Sequence, residues 1–165
     1  KPRIEKVTVN ICIGRSGEPL EKASKILEQL TEQKPCFRKA KKTIKDFGIR
    51  RGEPIACMVT LRKEKAINFL KKAFSAIGNK LSKSIFDENG NFSFGIREHL
   101  ELPGVKYNPE LGIVGMDLCV TMSKQGYRIK VRKRAKSRIG VKHRVKLEEA
   151  VYFLKETFGI EILER

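Results

Sequence analysis

The side chains with the clearest chemical potential in this 165-residue chain are cations, and they are gathered in two segments. Residues 34–51 hold eight Lys or Arg and one acid, whereas residues 124–146 hold eleven Lys or Arg and no acid. Of the formal net charge of +17, these segments supply +7 and +11, so the other 124 residues sum to −1. Clustered cations of this kind neutralise a polyanion, for which nucleic acid is the first candidate and an acidic membrane surface the second.

A second chemical feature is a set of polar side chains on strands that are otherwise apolar. Asn10 lies on the polar face of an alternating strand at residues 4–13, and Thr60 and Arg62 lie on the polar face of another at residues 55–62. If the two strands share a sheet, these side chains line one surface that can hydrogen-bond phosphates, 2′-hydroxyls and base edges. An ordinary solvated sheet face has the same pattern, and periodicity does not separate the two interpretations.

Catalytic patterns are missing from the sequence. Neither His99 nor His143 has the spacing of a metal ligand, and we expect His143, which lies inside a basic run, to join the phosphate contacts. Residues 48–52 resemble a phosphate-binding loop only superficially, because the Gly-Lys-Ser/Thr ending is absent. The acids are scattered without a catalytic pair, so we predict no enzymatic activity, no metal, no cofactor and no small-molecule substrate.

The four cysteines also argue against a metal or disulfide framework. Cys12, Cys36, Cys57 and Cys119 are widely spaced and form no CxxC pair. Since free cysteine is among the residues most often buried, we expect buried thiols in the strands of a cytosolic protein.

Hydrophobic periodicity predicts the elements that must position these residues. Strands are predicted at residues 4–13, 36–40, 55–62, 92–96 and 114–122. One helix begins at Pro19, between the first two strands, a second covers residues 66–77, and a third covers residues 147–158. This order predicts an α+β fold with a largely antiparallel sheet, helices packed on one face, and a partly polar, open second face. Because no Pro-, Gly- or Ser-rich linker divides the chain, we expect one domain over residues 1–165.

Two long connections, residues 40–54 and 124–145, carry most of the positive charge. Loops of this length are usually functional, and their like charges suggest arms that order on a phosphate backbone. Phe47 is a lone aromatic residue in the first loop, where it either stacks on a base or anchors the loop. Phe92 and Phe94 alternate with Ile96, which favours core packing over base stacking.

A membrane partner is not predicted. No apolar run approaches the ~20 residues that cross a bilayer. The basic segments contain glycines and β-branched residues, and the chain has no Trp, which is unlike a membrane-binding amphipathic helix.

Six strings resemble a known family closely, in order and spacing, over nearly the whole chain. They are IEKVTVN at residues 4–10, TEQKP at 31–35, AKKTIKDFGIRRGEPI at 40–55, VTLR at 59–62, GNFSFGIRE at 90–98 and GMDL at 115–118. They resemble the large-subunit ribosomal protein family numbered five in bacteria and eleven in eukaryotes. The basic segment at residues 127–144 and the C-terminal helix are similar to the archaeal and eukaryotic form, because the bacterial pattern lacks the insertion after Met122.

The resemblance implies a structural, non-catalytic protein of the cytoplasmic ribosome. It implies an α+β fold, binding to 5S ribosomal RNA and a place in the central protuberance among large-subunit RNA and other large-subunit proteins. It also implies contact with the P-site transfer RNA and with a small-subunit protein across an intersubunit bridge. A free RNA chaperone, or another general nucleic-acid-binding protein, is the alternative that composition alone leaves open.

The predicted site residues fall into three groups. The 5S RNA group contains Asn10, Gln33 and Thr60, implied by the resemblance, together with Lys34 and Arg62. The group facing transfer RNA contains Lys41, Lys42, Lys45, Arg50 and Arg51, implied by the resemblance, together with Phe47. The third group is inferred from charge alone and is expected to contact the ribosomal RNA backbone: Arg128, Lys130, Arg132, Lys133, Arg134, Lys136, Arg138, Lys142, His143 and Arg144.

Overall fold

The structure, a computed structural model, describes residues 1–163. In chain order, its helices and strands are β1 Arg3–Cys12, α1 Glu18–Thr31, β2 Cys36–Lys39, β3 Pro54–Leu61, α2 Lys63–Ala76, β4 Lys80–Ser82, β5 Phe92–Ile96, β6 Met116–Ser123, α3 Leu147–Phe158 and β7 Glu161–Leu163. Within these residues, no helix is long and apolar enough to cross a membrane.

The main sheet has five antiparallel strands in the order β2-β3-β1-β6-β5. One face of the central strands is apolar because side chains alternate, so that Val7, Val9 and Ile11 of β1 are all buried while their neighbours are not. Helices α1, α2 and α3 contribute buried residues to the same hydrophobic core. The predicted α+β architecture, with helices on one face of an antiparallel sheet, is confirmed.

Phenylalanine rings fill the part of the core beneath β5. The Phe74 ring of α2 lies 5.6 Å from the Phe94 ring and 5.2 Å from the Phe158 ring, measured between centroids. Phe92 is 3% exposed, and its ring centroid lies 5.0 Å from that of Phe86. The preference for core packing at Phe92 and Phe94 is therefore confirmed, since neither ring faces outward from the sheet.

The second sheet, made of β4 and β7, was not predicted from the sequence. These strands have three residues each and pair in parallel, with Lys80 opposite Glu161. Gly159 ends α3 in the left-handed conformation and turns the chain toward this pairing. Runs of three residues are too short to show a period of two, so periodicity misses them.

Candidate nucleic-acid interface

The face of the main sheet turned away from the helices is the candidate binding surface. We call it the open face, and its residues are Lys6, Thr8, Asn10, Cys12, Cys36, Arg38, Ala56, Met58, Thr60, Ser93, Gly95, Asp117, Cys119 and Thr121. Within the structure, no helix of this chain packs over it, because the buried side chains of all three helices join the core on the other side.

Asn10 and Thr60 come together at the centre of the open face. β1 and β3 are neighbours, with Thr8 opposite Thr60 and Asn10 opposite Met58, so Asn10 and Thr60 are diagonal neighbours. The strands had been predicted separately, and their pairing places both side chains on one surface. Arg62, which follows β3 in extended conformation, continues the alternation of Thr60 and is exposed.

Gln33 reaches the same region from the loop between α1 and β2. Its side-chain Nε2 donates a hydrogen bond of 3.4 Å to the main-chain oxygen of Thr60. Gln33 and its neighbour Lys34 are both exposed. The structure therefore places Asn10, Gln33 and Thr60 in one neighbourhood, with Lys34 and Arg62 next to them along the chain.

Several polar residues that the site prediction omitted complete this surface. Asp117 lies opposite Asn10, and Cys119 lies between Thr8 and Ser93 in the next row. The Asp117 carboxylate can accept hydrogen bonds from 2′-hydroxyl or base amino groups, whereas it repels phosphates. In the predicted strand at residues 114–122, Asp117 and Cys119 alternate with apolar Met116, Leu118 and Val120, so this signal is present in the sequence.

The expectation of four buried thiols is wrong for three of them. Cys57 is fully buried, but Cys12, Cys36 and Cys119 are exposed. The alternation of side chains along each strand decides which cysteines are buried. Cys12, Cys36 and Cys119 lie on the open face, whereas Cys57 points into the core. Burial, with a smaller contribution from nearby Cys12, raises the pKa of the Cys57 thiol to about 11.

This difference predicts how the thiols react. At pH 8, iodoacetamide should label Cys12, Cys36 and Cys119 in the folded chain but leave Cys57 unmodified, because the reagent attacks thiolates that it can reach. Peptide mass spectrometry measures the labelling, and unfolding in urea should release Cys57. Labelling of Cys57 as fast as Cys119 in the folded chain would contradict the alternation described above.

The first basic loop, residues 40–54, has a defined backbone. Ile44 and Ile49 exchange two main-chain hydrogen bonds of 3.0 and 3.2 Å, which fold residues 45–48 into a tip. At the base, the Glu53 carboxylate accepts hydrogen bonds from the Ser16 hydroxyl at 2.6 Å and from the Arg50 N–H at 3.0 Å. The Ser16 and Arg50 hydrogen bonds lower the pKa of Glu53, so this acid stays ionised and holds the loop to the end of β1.

The predicted site residues of this loop point outward. The cations are all exposed, and they are Lys41, Lys42, Lys45, Arg50 and Arg51. Phe47 is 75% exposed at the tip. The ring therefore does not anchor the loop to the body, and its face is available for stacking on a base.

The second basic segment, residues 124–145, is tied down at its two ends. The Lys124 ammonium lies 2.6 and 2.8 Å from the two carboxylate oxygens of Glu149 in α3. The Tyr127 hydroxyl accepts a hydrogen bond of 2.7 Å from the main-chain N–H of Val145. The Lys124 side chain, followed by the Lys146 N–H, lowers the pKa of Glu149, which keeps this anchor charged.

Between these anchors, the predicted phosphate contacts are exposed: Arg128, Lys130, Arg132, Lys133, Arg134, Lys136, Arg138, Lys142, His143 and Arg144. The side chains of two of them also make hydrogen bonds within the segment. Arg132 Nε donates to the Ala135 carbonyl at 2.8 Å, and His143 Nε2 lies 2.7 Å from the Gln125 carbonyl. A carbonyl only accepts, so this nitrogen of His143 carries the proton and Nδ1 is left for other partners.

The two basic segments lie at opposite ends of the open face. Loop 40–54 adjoins the Cys12 end of β1, whereas segment 124–145 follows Ser123, which pairs with Arg3 at the other end. Ten residues of strand separate them by about 30 Å. Since this exceeds the ~8 Å over which salt screens charge at physiological ionic strength, the charges of the two segments act independently of each other.

His99 is a buried residue that accepts a hydrogen bond from the backbone of a neighbouring loop. His99 is 4% exposed, and its Nδ1 accepts a hydrogen bond of 3.3 Å from the Val114 N–H, so it holds a loop in place. Among residues 1–163, no group of three or more His, Cys, Asp or Glu side chains is arranged to hold a metal ion.

Two sequence models of one family match this chain. The one described as Ribosomal protein L5 matches residues 1–50, and the one that describes the C-terminus of the ribosomal L5 family matches residues 54–153. The two matches together include the open face, the first basic loop except residues 51–53, and all of the second basic segment.

Curated relatives are similar over almost the full chain. The large ribosomal subunit protein uL5 of Aeropyrum pernix is 55% identical over 161 residues, which cover 97% of this chain and 84% of that protein. The protein of the same name from Pyrobaculum aerophilum is 52% identical, covering 96% of this chain and 89% of its own length. The one from Methanosphaera stadtmanae is 47% identical, covering 98% and 96%. The resemblance found in the sequence is thereby confirmed, and the chain belongs to the ribosomal protein L5 family in its archaeal/eukaryotic-type form.

Proposed function

We propose that this chain is a structural component of the large ribosomal subunit that binds 5S ribosomal RNA through its open face. The family is structural rather than enzymatic, and its members work in the ribosome of the cytoplasm. The observation that supports the RNA contact is the juxtaposition of Asn10, Gln33 and Thr60 on a polar face free of helices. Such groups read the shape and exposed edges of RNA, which neutralising charge alone does not do.

The second basic segment and the open face contribute differently to RNA binding. The second basic segment neutralises ribosomal RNA phosphates and supplies affinity, while the open face supplies hydrogen bonds that depend on the RNA's shape. The chain acts as one RNA-binding domain that attaches 5S RNA within the central protuberance, against large-subunit RNA and other large-subunit proteins. A small-subunit protein across an intersubunit bridge is a further partner in this proposal.

The first basic loop is proposed to face the P-site transfer RNA. Its five exposed cations suit backbone phosphates, and the exposed Phe47 ring suits an unstacked base. The position of the loop supports a separate partner, because it projects from the end of the sheet opposite the second basic segment.

Specificity is tested by removing hydrogen-bonding groups without changing charge. Asn10→Ala and Thr60→Ala should each weaken 5S RNA binding by about 5- to 20-fold, the effect of one or two lost hydrogen bonds. The salt dependence of binding should stay unchanged because no cation is removed. Filter binding across a salt series measures both, and Gln29→Ala, at an exposed position of α1, is the control.

The same assay separates this proposal from a free RNA chaperone. The intact chain should prefer 5S RNA over an unrelated structured RNA of equal length at physiological salt. Equal affinity for the two RNAs, or an equal loss of affinity for both when Asn10 is replaced, would contradict specific 5S RNA binding. Either result would favour the free RNA chaperone.

Charge reversal in the first loop tests the division of labour. Replacing Lys41, Lys42 and Lys45 with Glu should leave 5S affinity within about twofold, because the loop lies about 30 Å from the second basic segment. Binding of the same variant to transfer RNA should fall by more than tenfold. A large loss of 5S affinity in this variant would refute the separate roles of the two segments.

A further inference from the structure

The second basic segment forms much of the lining of a half-open cleft at one end of the open face. The cleft has a volume of about 710 Å³. Its floor is the sheet, at Lys6 and Thr121, which pair across β1 and β6. Ser123, the next position on this side of β6, is 1% exposed, so this end of the sheet is covered while the centre of the open face is not.

The cleft has one positively charged wall. Lys130, Lys136, Arg138 and Arg144 line it from the segment, and Lys6 lines it from the sheet. Glu5 is the one carboxylate among its lining residues. With five cations and one acid in its lining, the cleft is suited to binding a phosphate. An Arg guanidinium in particular can donate two parallel hydrogen bonds to phosphate oxygens.

The rest of the lining suits a base and a sugar. Tyr127, Val131 and Ile139 provide apolar surface, while Asn89 and Ser137 provide hydrogen-bonding groups. Tyr127 is held in place because its hydroxyl is bonded to the Val145 N–H and its ring meets the His143 ring edge-on at 6.0 Å. The volume lies within the range of about 300–1,000 Å³ that small-ligand sites occupy.

We propose that this cleft holds one nucleotide of the RNA strand that crosses the open face, with its phosphate on the arginine and lysine wall and its base against Tyr127 and Ile139. The occupant is a strand nucleotide because Lys6 and Thr121 belong to the open face and the cleft alike, so a bound strand continues into it. This inference rests on the proposed function, and it makes the second basic segment a shaped site as well as a charged arm.

Charge-matched variants separate a site from a simple polycation. Lys136→Gln with Arg138→Gln removes two cations from the cleft, whereas Lys133→Gln with Arg134→Gln removes two from the same segment outside it. At physiological salt the cleft pair should lose about tenfold more 5S RNA affinity than the outer pair, because its groups bind an enclosed phosphate. Equal losses in the two variants would overturn the proposal.

A neutral block tests the enclosed space directly. Ser137→Trp fills the cleft without changing charge, and Val141→Trp adds the same ring at an exposed position of the segment outside it. Ser137→Trp should lower 5S affinity by about tenfold, the effect of losing one bound base, and should reduce the salt slope by no more than about one, the effect of one lost phosphate contact. Val141→Trp should lower it by less than about twofold. Circular dichroism melts are the control that both variants are folded.

The outcomes distinguish this inference from the proposed function. If the unmodified chain binds 5S RNA specifically but Ser137→Trp binds it equally well, the cleft proposal fails and the proposed function stands. If the unmodified chain does not prefer 5S RNA, the proposed function fails first. Titration with uridine and adenosine 5′-monophosphates tests free nucleotides, and their binding in the cleft without any effect of Ser137→Trp on RNA affinity would overturn the strand nucleotide as occupant.

Discussion

Raising monovalent salt from about 50 to about 200 mM should weaken the binding of 5S RNA by about four powers of ten. The reason is counterion release, since each phosphate neutralised by a Lys or Arg frees a condensed cation whose entropy gain falls as salt rises. Residues 124–146 contain eleven Lys or Arg and no acid of their own. About eight phosphate contacts from them give a slope of log affinity against log salt of about −6 to −7.

The structure indicates which residues should change this slope. Replacing Arg128, Lys133 and Arg134 with Gln should reduce its magnitude by about two, since each lost phosphate contact removes about 0.7–0.9. Lys71→Gln with Lys72→Gln, on the exposed side of α2, should leave it unchanged. Filter binding at four or more salt concentrations gives the slope. A slope near zero, or an equal change in the α2 variant, would contradict the placement of the phosphate contacts.

Replacing Gly90 with Ala should destabilise the fold by about 3 kcal/mol. Gly90 has a φ of +70°, and an added Cβ would lie 2.8 Å from the Cβ of Ala150 and 3.0 Å from a Val145 methyl. Both neighbours belong to the region where the second basic segment joins α3. The substitution therefore combines backbone strain with a clash that the packed core must absorb.

Gly104→Ala is the matched control for this prediction. Gly104 also has a positive φ, +85°, but an added Cβ would meet nothing within 4 Å. It should cost about 1 kcal/mol, the strain alone. Urea unfolding followed by circular dichroism measures both free energies. Equal losses in the two variants would show that the close approach of the Gly90 turn to α3 contributes nothing to stability.

The sequence predicted the polar face of each strand correctly but not how the strands meet. Alternation placed Asn10 on the polar side of β1 and Thr60 on that of β3, because side-chain direction is a local property of an extended chain. The register that makes them neighbours depends on tertiary pairing. The hydrogen bond from Gln33 to Thr60 joins residues 27 apart, and no local pattern encodes it.

Other features were beyond local patterns for physical reasons. The general burial tendency of cysteine failed at Cys12, Cys36 and Cys119, where the alternation of side chains along each strand was the better guide. Charge counting identified the segment at residues 124–145 but gave it no shape. Its cleft depends on anchors such as the ion pair between Lys124 and Glu149, whose partners come from different elements.

Thiol protection by RNA tests the central claim, that the open face is the 5S RNA contact, most directly. Cys36 and Cys119 are exposed on this face. Across the sheet, Cys36 lies in line with Asn10 and Cys119 lies in line with Thr60. Both are natural residues of the chain, so no thiol has to be introduced. At physiological salt, saturating 5S RNA should slow iodoacetamide labelling of both thiols by at least about tenfold, because the bound RNA covers them. An unrelated structured RNA of equal length should protect them far less. Unchanged labelling rates in a chain shown to have bound 5S RNA would contradict the account.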